Sequence, residues 1–203
     1  MKSMLKDAAI LFVITLISGL VLGFVYDLTK EPIAAQAVEK KNEAFRNVFP
    51  EADSFEAVTD VSLEAAGELV AEQGLDAAVE ELAAAYDSAG QLLGFVITVT
   101  DHEGYGGDIT FAAGIREDGT CSGVSILSIA ETAGLGMRAE EVLVPQMPGK
   151  DLTQAISYTK SGNATDSEVD AISGATITTN AFVNGINACR IVFIELLQGK
   201  GAA

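Results

Sequence analysis

Asp170-Ala171-Ile172-Ser173-Gly174-Ala175-Thr176-Ile177-Thr178-Thr179 is the stretch on which the reading of this chain turns. It is a turn of small and hydroxyl-bearing residues, with a carboxylate ahead of it and an apolar pattern behind. Gly174 and Ala175 leave room for a bulky group to approach the backbone. From Phe182 onward the apolar residues fall at Phe182, Ile186, Cys189, Phe193 and Leu196, in steps of four and three. That is the helical period, and Gly199 is a natural stop. Thr178, Thr179 or Asn180 is expected to cap this helix, with the Thr176 hydroxyl just ahead of its start. Free N–H groups and a partial positive charge make a helix start suited to a phosphate.

Upstream of this turn the period changes to two. Phe95, Ile97 and Val99 alternate with Val96, Thr98 and Thr100, and Ile109, Phe111, Ala113 and Ile115 repeat the pattern. Asp118-Gly119 then marks a turn, and Val124, Ile126 and Ser128 resume a strand. Two alternating runs about an Asp-Gly pair predict a hairpin. The expected class is α+β, a mostly antiparallel sheet packed by helices, with the last helix folded back on it. Two loops in this region stand out. Gly104-Tyr105-Gly106-Gly107-Asp108 lies between strands and can lie against a flat ring or simply turn the chain. Glu131-Thr132-Ala133-Gly134-Leu135-Gly136-Met137 follows the third alternating run.

The N-terminal part is of a different kind. Residues 8–26, AAILFVITLISGLVLGFVY, contain no charge. At about 1.5 Å per residue they reach roughly 28 Å, the thickness of a hydrocarbon core. A cleavable leader has a shorter apolar core, and Ala35-Gln36-Ala37 lies too far downstream to serve as its cleavage site. A retained single-pass anchor is therefore expected. Lys2 and Lys6 favour a cytoplasmic N-terminus and place the rest of the chain outside. Gly19 and Gly23 share one helix face, which suits helix–helix packing in lipid as well as the general frequency of glycine in such helices. The expected organisation is a short cytoplasmic end at 1–7, a membrane helix at 8–26, a juxtamembrane helix within 27–50 and an extracytoplasmic domain over 51–203. Pro32 is expected in the first turn of the juxtamembrane helix.

The formal net charge is −17, and such a chain repels phosphate backbones, so nucleic acid is excluded as a partner. Residues 51–90 hold eleven Asp or Glu and no Lys or Arg. Within them, 61–85 reads as an acidic helical insert broken near Gly74, either a solvated surface or a face that attracts cations. No Ser–His–Asp arrangement is read from the sequence, and His102, the single histidine, reads as a loop residue, since a metal site needs several convergent donors. Cys121 and Cys189 are too far apart in sequence for a metal-binding pair. They read as buried thiols, with a disulfide left open.

Asp170 and Ser173-Gly174-Ala175-Thr176, at this spacing, resemble the flavinylation motif of the FMN-binding domain family. The other two loops match the same family's Gly-Tyr-Gly-Gly and Glu-Thr-x-Gly-Leu-Gly segments, in the family's order. The chain departs from the pattern at Ala133 and Asp108, where relatives often carry proline, which bears on loop rigidity. The resemblance implies FMN esterified through its phosphate to Thr176 by a flavin transferase, with Thr178 and Thr179 near that phosphate. It implies that Glu131, Thr132, Leu135 and Gly136 line the flavin and that Tyr105 lies near its ring. With an anchor ahead of the domain, the chain is similar to the G subunits of Rnf complexes, ion-translocating ferredoxin–NAD oxidoreductases. Other membrane and redox subunits would then be its partners, and it would carry electrons without substrate chemistry of its own. The C subunit of sodium-pumping NADH–quinone reductase is the alternative, usually longer. A non-redox anchored sensor or assembly protein on the same fold is the competing class.

Overall fold

The computed structural model describes residues 2–199, with side chains from Met4. Met1 and residues 200–203, the ends of the expected cytoplasmic and domain segments, lie outside the described residues. The chain divides into two units, one ending at Lys41 and the other beginning at Asn42.

The first unit lies on helix α1 (Lys2–Val48). Its apolar side chains are exposed along the span from Met4 to Val38, and the helix is long and apolar enough to cross a membrane. The Thr15 hydroxyl donates back to the Leu11 carbonyl at 3.0 Å, which satisfies a polar group that lipid would leave unpaired. Asp27 and Lys30 form an ion pair at 2.9 Å just past the apolar run. The expected separate helix within 27–50 is instead continuous with the anchor, and Pro32 lies inside it. Proline forfeits one helical hydrogen bond, while Ala34, Ala35 and Ala37 restore helix propensity immediately afterwards.

In the second unit, five strands form an antiparallel meander in chain order: β1 (Ser54–Ala57), β2 (Ala77–Tyr86), β3 (Leu92–Asp101), β4 (Ile109–Arg116) and β5 (Cys121–Ile129). Helix α2 (Leu63–Glu72) lies between β1 and β2, capped by the Ser62 hydroxyl accepting from the Ala65 N–H. After β5 come a short helix α3 (Ala139–Val142), a parallel pair β6 (Ser157–Thr159) and β7 (Glu168–Asp170), and helix α4 (Thr176–Val192). The α+β class, the hairpin about Asp118-Gly119 and the closing helix are as expected.

The sheet is buried on both faces. Phe95, Ile97, Val99, Phe111 and Ile115 pack with Phe182, Ile186, Cys189 and Phe193 of the closing helix. On the other face Ala83, Ala85, Val96 and Ala112 meet Phe45, Val48 and Phe49. The domain thus begins at Asn42 rather than at the expected residue 51, because these three side chains are core. Gly114 and Gly123, paired across β4 and β5, leave the hollow that seats Val48. A Cβ at Gly114 would overlap Val48 Cγ1 and come within 2.8 Å of the Phe49 ring. Ser122 donates to the Val48 carbonyl at 2.7 Å, and Arg116 pairs with Glu51 while lying over the Phe49 ring.

The acidic segment 61–85 is helical only in its first half. Glu81-Leu82-Ala83-Ala84 lie in β2, paired along their length with β3, so the segment is part of the sheet and not an insert. Alanine and glutamate favour a helix in isolation, but a strand covered on both faces loses its alternation, and pairing overrides propensity. The last turn of the chain also differs from a plain helix. Phe193–Leu197 form a π turn closed by the Gln198 N–H on the Phe193 carbonyl at 2.7 Å. The extra residue per turn buries Leu197 and leaves Leu196 half-buried. Cys121 and Cys189 are free and buried. Burial pushes the Cys121 thiol up to about 12 and the Cys189 thiol higher, so neither ionises at neutral pH.

Gly114→Ala should destabilise the domain by about 1–3 kcal/mol, the usual cost of overpacking a filled core. Thermal unfolding of the full chain in detergent checks this through a lowered Tm.

Candidate functional site

Three loops at one end of the sheet converge on a cavity of about 510 Å³. They are the β3–β4 turn, the segment after β5 and the turn into α4. The volume lies in the roughly 300–1,000 Å³ range of small-molecule sites. A larger open groove of about 760 Å³, lined by Glu56, Asp60, Tyr86 and Glu117 among others, lies elsewhere on the domain. Its carboxylates oppose an anionic ligand, and the smaller, more apolar cavity has the better donor set.

The β3–β4 turn can take its shape only with glycine. A Cβ at Gly104 would strike the Gly107 carbonyl oxygen, and one at Gly106 the Ala130 carbonyl oxygen. The Tyr105 N–H donates to Glu131 Oε1 at 2.7 Å, joining this turn to the segment after β5. The Tyr105 side chain is 70% exposed beside the cavity. The other oxygen of Glu131 faces inward. A Cβ at Gly136 would lie 2.7 Å from Glu131 Oε2 and 2.6 Å from Thr178 Oγ1. Glu131, Gly136 and Thr178 therefore meet at one point, and only a glycine fits between the other two. The Thr132 carbonyl closes the loop by accepting from the N–H groups of Leu135 at 3.1 Å and Met137 at 3.2 Å.

The turn into α4 is held by Thr179. Its hydroxyl accepts from the Ile172 N–H at 3.1 Å and donates to the Ala175 carbonyl at 2.9 Å. Gly174 takes φ +81°, the left-handed region, and Leu135 Cδ2 lies 3.3 Å from where its Cβ would be. The helix begins at Thr176 with Ala175 as the residue ahead of it and no side-chain cap. The expected cap at Thr178, Thr179 or Asn180 is corrected accordingly: Thr179 is tied up in the preceding turn, and all three lie within the helix. The N–H groups of Thr176, Ile177 and Thr178 meet no protein acceptor among the described residues. They leave three donors and the positive end of a long helix beside the cavity.

Nine of the twelve residues singled out from the sequence line this cavity: Tyr105, Glu131, Thr132, Leu135, Gly136, Gly174, Ala175, Thr176 and Thr178. Three do not. Ser173 is exposed at the turn, Thr179 is buried behind it, and Asp170 lies in β7. The Asp170 N–H donates to Gln146 Oε1 at 2.7 Å and its carbonyl accepts from Gln146 Nε2 at 3.1 Å. One oxygen of the Asp170 carboxylate is buried without a partner. Sequence reasoning missed Ile177, which lines the cavity and is 51% exposed. An apolar residue on the open side of a helix start was the available signal. It also missed Gln146, whose place between Pro145 and Met147 carries no signal of its own.

The cavity fits a phosphate-bearing flat ligand. Free N–H donors and the Thr176 and Thr178 hydroxyls stand at one side, and Leu135, Ile177 and Tyr105 offer apolar surface. His102 is exposed and pairs with Asp108 at 3.0 Å, which raises its pKa. No group of His, Cys, Asp or Glu suited to a metal occurs among the described residues.

Comparison with known proteins agrees with this reading of the site. Residues 104–190 match the FMN-binding domain model, and residues 1–48 match that of the RnfG N-terminal region. The chain is 32% identical over 198 residues to the G subunit of the Na(+)-translocating ferredoxin:NAD(+) oxidoreductase complex of Acetobacterium woodii, covering 96% of this chain and 94% of the relative. It is 30% identical over 204 residues to the G subunit of the ion-translocating oxidoreductase complex of Methanosarcina acetivorans, covering 98% of each. Among solved structures, NqrC of Shewanella oneidensis is similar over 53% of each chain, at 21% identity and a TM-score of 0.45.

Glu131→Ala should release the β3–β4 turn, removing a charge-assisted hydrogen bond worth about 1.5–3 kcal/mol. Hydrogen exchange at Tyr105 and its neighbours should quicken markedly in this variant and less in Glu131→Gln, which keeps an acceptor but not its charge.

Proposed function

Because the chain belongs to the family of G subunits of ion-translocating oxidoreductase complexes, we propose that it is the membrane-anchored, flavin-carrying subunit of a ferredoxin–NAD oxidoreductase, with FMN covalently held at Thr176. The observation that carries this reading is the position of Thr176. It is the first residue of a helix whose leading N–H groups lack protein acceptors, at the edge of a cavity sized for a small ligand. A flavin transferase would form the phosphoester at Thr176 Oγ from an activated flavin nucleotide: the Oγ–P bond forms as the donor's pyrophosphate P–O bond breaks, the remaining phosphate-bearing fragment leaves, and the hydroxyl proton passes to solvent. The domain would stand on the outer side of the membrane, with residues 8–26 as the span, as the N-terminal lysines favour. The other subunits of the complex would be its redox partners.

When bound, FMN supplies one- and two-electron transfer. The chain's own residues then have distinct tasks. The N–H groups of Thr176, Ile177 and Thr178 would serve as donors to a phosphate, with the Thr178 hydroxyl as a fourth. Leu135, Ile177 and Tyr105 would offer apolar surface to the ring. Glu131 keeps Tyr105 in place. The Thr179 hydroxyl and Gln146 hold the two ends of the turn, so that Thr176 is presented at a fixed angle.

Thr176→Ala, expressed with an active flavin transferase, should fold normally and carry no covalent FMN, whereas Thr176→Ser should retain it. Intact mass reads the difference as one FMN less one water. Covalent flavin on the alanine variant would remove Thr176 from this role.

A further inference from the structure

Asp101 ends β3 on the face that packs against α4, and it is fully buried. Its Oδ1 accepts from the Glu103 N–H at 2.9 Å, while Oδ2 is buried with no partner. A buried ionised carboxylate with an unpaired oxygen is costly, so such a group holds a proton until something outweighs the cost. The neighbouring charges add to that bias. Glu103 on its own loop and Asp76, just ahead of β2, both oppose ionisation; His102 opposes them weakly, being itself paired to Asp108. From β4 the residue opposite is Ile109. From α4 the nearest polar contact is Asn184, whose amide donates to Glu103 Oε2 at 2.6 Å. Burial, first of these causes, pushes the Asp101 carboxyl up to about 7.

The position of this carboxyl relative to the cavity matters as much as its burial. Strand β3 runs antiparallel to α4: Cys189 Sγ donates to the Ile97 carbonyl at 3.8 Å, and Val99 touches the Gly185 site. Asp101, further along, lies beside the N-terminal half of α4, the half that carries Thr176 and Thr178. It is also four residues from Tyr105, at most about 14 Å of extended chain, and Gly104 between them packs on Glu131. Asp101 is buried, and the interactions of a buried charge are screened much less than those between exposed charges.

We propose that Asp101 is a redox-linked proton site, binding a proton from solvent when negative charge arrives at the neighbouring cavity. The inference rests on the FMN reading above. The electron comes from an external reductant and the proton from water, and the only bond formed is O–H at Asp101. Well below pH 7 the carboxyl is already protonated and couples to nothing. Above pH 7 it is ionised, and added electrons raise its proton affinity, so the midpoint potential falls with pH more steeply than the cofactor alone requires.

The test uses the full chain in detergent, loaded with FMN and verified by intact mass. Midpoint potentials are measured across pH for the native chain and for Asp101→Asn, an isosteric and permanently neutral replacement. The two should coincide well below pH 7 and separate above it, the variant higher. Infrared difference spectra on reduction at alkaline pH should show a protonated-carboxyl carbonyl band in the native chain that is absent from Asp101→Asn. A gap in potential independent of pH, or a carbonyl band that survives the substitution, overturns the role of Asp101. A native chain that carries no FMN overturns the reading beneath it instead, and the inference with it. Should Asp101→Asn fail to fold, the alkaline carbonyl band in the native chain, missing from flavin-free Thr176→Ala, is the deciding measurement: its absence rejects the proposal.

Discussion

The site depends on one half-buried carboxylate that accepts a hydrogen bond from a distant loop. Glu131 takes the Tyr105 N–H on one oxygen and faces Gly136 and Thr178 with the other. Three loops from distant parts of the chain are thereby brought to a common point. None of them has the apolar content to fold there alone, since Gly104, Gly106, Gly107, Gly134 and Gly136 supply no side chain to pack. A Cβ would strike a neighbour at Gly104, Gly106 and Gly136, and Gly134 takes a positive φ of +76°; glycine at these positions leaves the loops without intrinsic stiffness. A charge-assisted hydrogen bond offsets that loss.

The direction of the site is set farther away, in the core. Phe182, Ile186, Cys189 and Phe193 fix α4 against β3 and β4, and the π turn lets Leu197 join them. A helix locked over four turns presents its first turn without freedom to swing. Its unpaired N–H groups therefore point at one place, and Thr179 sews the preceding turn to the same helix. The other face of the sheet is filled by Phe45, Val48 and Phe49, so the sheet cannot bend away from the helix without opening a cavity.

Much of this was legible from the residues because the deciding signals are local. Alternating runs, an Asp-Gly turn and a helical period each act over a few positions, and they placed the antiparallel sheet and the closing helix; the motif resemblance singled out the residues of which nine line the cavity. The failures are equally physical. The second half of the 61–85 segment reads as helix because alanine and glutamate favour one, but the partner strand and the two covering layers decide the outcome, and neither is visible in a local window. The helix start was displaced by three to five residues because a threonine that could cap was already used to tie the turn. Gln146 and Asp101 were invisible for another reason: their importance lies in what they touch, or fail to touch, across the fold.

The charge of the chain bears on why a covalent bond would suit this site. With a net charge of −17, the domain repels an approaching phosphate at long range, and free FMN would be disfavoured at the encounter stage. Close to the helix start the local field reverses, because the N–H donors act within the first turn while the surrounding carboxylates are screened over about 8 Å at physiological salt. A cavity of this kind gains from the ligand once it is seated but recruits it poorly. Joining the phosphate to Thr176, as proposed, would remove the recruitment step from each working cycle, since the local concentration of a tethered group no longer depends on its concentration in solution. The acidic surface is then free to serve solubility or partner choice without working against the cofactor. The same reasoning explains why an apolar, glycine-built cavity with few specific donors would be sufficient under the proposed attachment: the bond would hold the ligand, and the pocket would have only to orient it.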